Sequence, residues 1–211
     1  MFNLPNCITL TRIFCVIVFT CALAWDAAHP SLVAEISEES AGILVPLSLA
    51  RCIAFWAFVI GAVSDFFDGY LARKLNQVTN FGKLIDPLAD KILVSAAYIY
   101  LTGVHLCPFW VTIVIIFREF LVTGIRQLAV AQGYVMAADW CGKWKTGFQL
   151  AYCIDCLLLL AYGANLFFPL PELLFGSIGE GLRAAFLWIS LLLTLWSGAN
   201  YCYQARRFIR G

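Results

Sequence analysis

Long apolar runs alternate with short polar connections along this chain. A membrane-crossing helix needs about 20 mostly apolar residues. Six stretches reach or approach that length: near Ile8–Trp25, Ile43–Val63, Leu84–Val104, Cys107–Ala129, Lys145–Phe167 and Leu182–Tyr203. None shows the two-residue alternation of a membrane barrel strand. The pattern predicts an all-α fold, a polytopic membrane protein with six transmembrane helices. No linker, low-complexity tract or clear repeat breaks it, so residues 1–211 read as a single membrane-embedded domain. Charges intrude on the runs, among them Arg51 in the second, and Asp86, Asp90 and Lys91 near the start of the third.

Composition narrows the class. The chain is 62% hydrophobic, 15% aromatic and 13% charged, against about 25% charge in soluble domains. A soluble domain of this length could not hide so much apolar surface, and a disordered chain would be poor in aromatics. The net charge of +1 argues against a nucleic-acid surface. The positions of the charges say more than their total. Eleven of the fourteen bases fall on one side of the predicted spans: Arg73, Lys74, Lys83, Lys91, Arg118, Arg126, Lys143, Lys145, Arg206, Arg207 and Arg210. The opposite connections carry Asp26, Glu35, Glu38, Glu39, Glu172 and Glu180, with Arg183 as their one base. Positive charge marks the cytoplasmic side, so both termini are expected there. Ala22-Leu23-Ala24 has the form of a signal-peptidase site. The basic start of a signal is weak, however, and Arg12 interrupts the run, so an uncleaved first span is expected.

Nine cysteines are scattered, mostly inside spans. Cys153 and Cys156 form a C-x-x-C within an apolar helix that has no second ligand pair, which predicts small apolar packing residues. His29 and His105 fall in outer connections and are expected at the surface.

The chemistry concentrates in Asp65–Asp90. Asp65 and Asp68 are three apart and share a helix face. Gly69 and Ala72 fall on that face, within about 40° of Asp65 at the helical step of about 100° per residue. Asp86 and Asp90 are four apart, with Gly82 one turn earlier. Pro87 could open a helix with Asp86 as its cap, or kink a longer one. Four converging carboxylates repel one another, and hard divalent cations such as Mg²⁺, Mn²⁺ or Ca²⁺ remove that conflict. Two such ions can stabilise both oxygens of a phosphoryl transfer, and the Arg73 guanidinium can pair with a phosphate. The bland alternative is a solvated interfacial band in which these aspartates pair with neighbouring lysines and arginines. A cation transporter could also use buried aspartates, but would need neither Arg73 nor the glycines.

The run Asp65-x-x-Asp68-Gly69-x-x-Ala72-Arg73, eight residues, then Gly82-x-x-x-Asp86-x-x-x-Asp90 resembles the complete signature of the CDP-alcohol phosphotransferases. Eight fixed positions with defined gaps make a specific motif. The resemblance implies six transmembrane helices, usually a homodimer, and an active site at the cytoplasmic face. It implies transfer of a substituted phosphate from a CDP-linked donor to an alcohol, releasing CMP. By carry-over, Asp65, Asp68, Asp86 and Asp90 hold two divalent ions (Mg²⁺ or Mn²⁺). Asp90 is the base for the alcohol, and Gly69, Ala72, Arg73 and Gly82 line the CDP site.

Further stretches resemble one branch of that family, the bacterial phosphatidylglycerophosphate synthases: Asn3–Arg12, Phe81–Leu93, Arg118-Glu119-Phe120 through Arg126, and Gly142–Thr146. That branch implies CDP-diacylglycerol and sn-glycerol 3-phosphate as substrates and an inner (cytoplasmic) membrane among lipids. Relatives with inositol phosphate, serine or phosphatidylglycerol as acceptor are the alternatives. A phosphate-bearing acceptor calls for a second cationic site, for which Arg118, Arg126, Lys143 and Lys145 are the candidates.

Overall fold

A computed structural model describes residues 4–29, 48–75, 80–133, 140–162 and 177–209. Six helices account for nearly all of them: α1 (Leu4–Ala28), α2 (Leu49–Leu75), α3 (Asn80–Gly103), α4 (Phe109–Ala131), α5 (Trp140–Tyr162) and α6 (Ser177–Ile209). Among the described residues there is no strand. The all-helical expectation is met; the boundaries differ. The second helix runs on to Leu75, twelve residues past the predicted end of its apolar run. Charge ends an apolar run without ending a helix, because Asp, Arg and Lys cost little helix propensity beside Gly or Pro. The third begins at Asn80, so Pro87 lies inside it and Asp86 is not its cap.

The helices close a ring in the order α1, α2, α5, α6, α4, α3, and further contacts of α3 with α2 and α5 bridge its middle. Phe19 and Phe58 pack with ring centroids 5.8 Å apart, and Tyr98 stacks on Tyr152 at the same distance. The Tyr152 hydroxyl donates to the Leu106 carbonyl at 2.9 Å, tying α5 to the turn between α3 and α4. In that turn His105 is exposed, as expected, and takes a left-handed φ of 61°. Cys153 and Cys156 are fully buried in this core, in the packing role expected of them.

The outer surface is apolar and part of the interior is polar. On α6, Trp188, Leu192, Leu195 and Trp196 face outward, while Ser190, Thr194 and Ser197 are buried. Buried Gln149 on α5 donates to Thr194 at 3.3 Å. Two stretches among the described residues, Leu10–Ala28 and Ile178–Arg206, are long and apolar enough to cross a membrane; Leu49–Ser64 and Lys91–Gly103 are shorter apolar segments. At one end of the bundle Asp26 joins α1 to α2, accepting from Ser48 at 2.7 Å and from Arg51 Nε at 2.8 Å.

Candidate active site

The signature residues divide between two consecutive helices. Asp65, Asp68, Gly69, Ala72 and Arg73 lie on α2; Gly82, Asp86 and Asp90 lie on α3. Their side chains are outside the described residues. What the structure describes is how the two helices approach. Gly61 is buried, and a Cβ on it would fall 2.8 Å from Leu93 Cδ2 and 3.4 Å from Cys15 Cβ. Backbone and side chain can meet so closely only because position 61 lacks a Cβ. Asp65 stands one helical turn beyond Gly61 on the same face, and Leu93 three residues after Asp90, so the tight contact of α2 with α3 adjoins both halves of the signature. An all-carboxylate set on two adjoining helices suits a hard divalent cation. Among the described residues no group of three or more His, Cys, Asp or Glu could hold a metal.

The four basic candidates are described, and they separate. Lys145 on α5 is 2% exposed and donates to Glu119 Oε1 on α4. Glu119, itself 5% exposed, also meets Arg118 Nη1 at 3.2 Å through Oε1 and Lys91 Nζ of α3 at 2.8 Å through Oε2. One carboxylate thus gathers three cations from three helices. Arg118 reaches the opposite way as well: it donates to Ser197 and lies 5.9 Å from the Tyr201 ring centre, with its Cγ 3.1 Å from where a Cβ on Gly198 would stand. Arg126 donates to the Tyr201 hydroxyl and stacks on that ring at 4.9 Å. Lys143 is exposed. Lys145 and Arg118 therefore meet at Glu119, Arg126 sits with α6, and Lys143 joins neither. Beside Glu119 a cavity of about 40 Å³ is lined by Arg12, Gly61, Lys91, Thr146 and Gln149 among others, room for two or three waters.

The family model for CDP-alcohol phosphatidyltransferases matches residues 2–196. The chain belongs to this family. Its apolar helices and this membership make it a membrane protein. A CDP-diacylglycerol–glycerol-3-phosphate 3-phosphatidyltransferase of Bacillus subtilis is 42% identical over 95% of this chain and 94% of its own length. A Rickettsia bellii protein of the same name is 32% identical over 98% of this chain and 97% of its own. A probable phosphatidylglycerophosphate synthase of Mycobacterium tuberculosis is 35% identical over 99% and 84%. The resemblance carried by the aspartate spacing is borne out at the level of the family.

For a member of this family, Glu119 is the residue that sequence reasoning passed over. In the sequence it enters only as part of the stretch Arg118-Glu119-Phe120, beside bases that read as a cytoplasmic belt. A carboxylate inside an apolar helix is itself a signal of function, and that signal was available.

Proposed function

We propose that this protein transfers the phosphatidyl group of CDP-diacylglycerol to sn-glycerol 3-phosphate, giving phosphatidylglycerophosphate and CMP. The observation that carries this reading is similarity over nearly the full chain to relatives bearing that enzyme's name. The adjoining of α2 and α3 at Gly61 and Leu93 supports a single site built from both halves of the signature.

In this reading Asp65, Asp68, Asp86 and Asp90 hold two Mg²⁺ or Mn²⁺ ions, which supply charge neutralisation at the reacting phosphate. Gly69, Ala72 and Gly82 leave room for the CDP group, and the Arg73 guanidinium pairs with its phosphates. Asp90 takes the proton from the primary hydroxyl of the acceptor. The freed oxygen forms a bond to the phosphorus that bears the diacylglycerol, the bond from that phosphorus to the CMP oxygen breaks, and CMP leaves. The acceptor's own phosphate is drawn by Arg118, Arg126, Lys143 and Lys145. Six membrane-crossing helices, cytoplasmic termini, a site at the cytoplasmic face of the inner membrane and a homodimer complete the reading. That placement keeps the donor's acyl chains in lipid while its head group meets a soluble acceptor.

The test is purified protein with CDP-diacylglycerol, Mg²⁺ and a panel of alcohols. Lipid product and CMP with glycerol 3-phosphate are expected. Product only with serine, inositol phosphate or phosphatidylglycerol overturns the choice of acceptor, and no product with any alcohol overturns the reaction.

A further inference from the structure

We propose that Glu119 is a positioning residue that couples the base-bearing helix to the acceptor's cations. The inference rests on the proposed reaction and concerns a residue to which that reaction gives no part. Three observations lead to it. Glu119 is buried and pairs with three cations from three helices, Lys91, Arg118 and Lys145, more than a single buried ion pair would need. The partners also divide between its two oxygens, Lys91 on Oε2 and Lys145 and Arg118 on Oε1, so the carboxylate cannot rotate without losing one of them. Finally, the tethered groups sit where function is expected. Lys91 directly follows Asp90 on α3, and the cavity lined by Lys91, Glu119 and Arg12 lies alongside.

Glu119 is itself held in register. Its neighbour Arg118 ties α4 to Ser197 on α6, so α6 anchors α4, and Glu119 in turn fixes Lys91 of α3 and Lys145 of α5. One side chain thus links Lys91, the residue after Asp90, to Lys145. No cation of this cluster comes from α2, which carries Gly69, Ala72 and Arg73 of the donor site; of that site only Gly82, nine residues before Lys91, lies on a helix that Glu119 holds. Glu119 should therefore act more on how the acceptor is held than on the donor's affinity.

The experiment uses the full-length protein in detergent. Glu119→Asp keeps the charge but withdraws it by about 1.5 Å, one carbon–carbon bond. We expect KM for glycerol 3-phosphate to rise about 10- to 100-fold and kcat to fall. KM for CDP-diacylglycerol should change by less than about twofold, since only acceptor contacts are lost. Glu119→Gln takes the counter-charge from buried Lys145 and Arg118 and invites unfolding, so it is paired with Lys145→Met. The double variant is expected to regain the folded fraction without regaining acceptor KM. Unchanged KM for both substrates in Glu119→Asp, with activity tracking only the folded fraction, overturns the proposal and makes the cluster purely structural. An equal rise in both KM values overturns it as well. Wild-type protein assayed in parallel separates the two readings: if it does not use glycerol 3-phosphate, the reaction has failed; if it does and the variants behave as wild type, the positioning role has failed.

Discussion

Gly61 shows how much one missing carbon can carry. A Cβ there would meet Leu93 at 2.8 Å. Leu93 is a flexible side chain, but it is 3% exposed and has little space to retreat. Gly61→Ala is expected to cost about 1–3 kcal/mol as an overpacked core substitution, seen as a lowered midpoint of thermal unfolding in detergent. If the α2–α3 spacing sets the aspartate site, specific activity of the protein that remains folded should fall as well. Wild-type specific activity would show that the spacing serves packing alone. At the chemistry itself, Asp90→Asn keeps the shape of the side chain and removes its basicity. CMP release is expected to vanish while the unfolding midpoint stays near that of wild type, and full activity would refute the role of Asp90 as base. Spacing alone made the four aspartates legible. Glu119 was visible as a carboxylate in an apolar run, but its partner Lys145 lies 26 residues away, a distance over which a sequence carries no register.

At the scale of elements, helix ends were the weakest reading. A hydropathy pattern marks where the apolar environment stops, whereas a helix stops where its backbone hydrogen bonds stop. α2 and α3 both continue through charged residues, so the signature sits on regular helix, where three- and four-residue spacings hold their faces. The far end of the α1–α2 pair is closed by Asp26. It is buried, and it accepts from both Ser48 and Arg51. Asp26→Asn weakens one charge-assisted bond and leaves the Arg51 charge partly buried. A loss of about 2 kcal/mol is expected. Because this pair lies remote from the signature end of α2, KM values should not move; denaturant or thermal unfolding with parallel kinetics would check both statements. Arg51 was legible as a charge inside a span, but its partner on another helix was not.

Across the whole molecule, outward tryptophans and leucines with inward serines, threonines and a lysine reverse the usual soluble arrangement. α6 has 33 residues, about 50 Å of helix at 1.5 Å per residue, longer than the roughly 30 Å hydrocarbon core. Its end near Arg206 should therefore project from the membrane. On the proposed six crossings with the bases gathered on one side, a fluorescent reporter fused to the C-terminus should be active in the cytoplasm, and alkaline phosphatase fused there should be inactive; the reverse would overturn the proposed orientation. Chelation of divalent ions is expected to abolish transfer, and Mg²⁺ or Mn²⁺ to restore it. Activity persisting in excess chelator would remove the metal from the proposed reaction.

The sequence by itself determined what depends on local pattern. Apolar runs made the chain helical and membrane-bound, and the spacing from Asp65 to Asp90 pointed to its family. Such features need only helical periodicity and the cost of placing charge in lipid. The tertiary structure alone decided which helices are neighbours, why a Cβ at position 61 would crowd Leu93, and how the basic candidates divide. Lys145 goes to Glu119 and Arg126 to Tyr201, while Arg118 spans from Glu119 to Ser197, 79 residues away. Those pairings follow from packing between helices distant in the chain. There a buried charge takes whichever partner the fold brings within reach, and no spacing along the sequence encodes that choice.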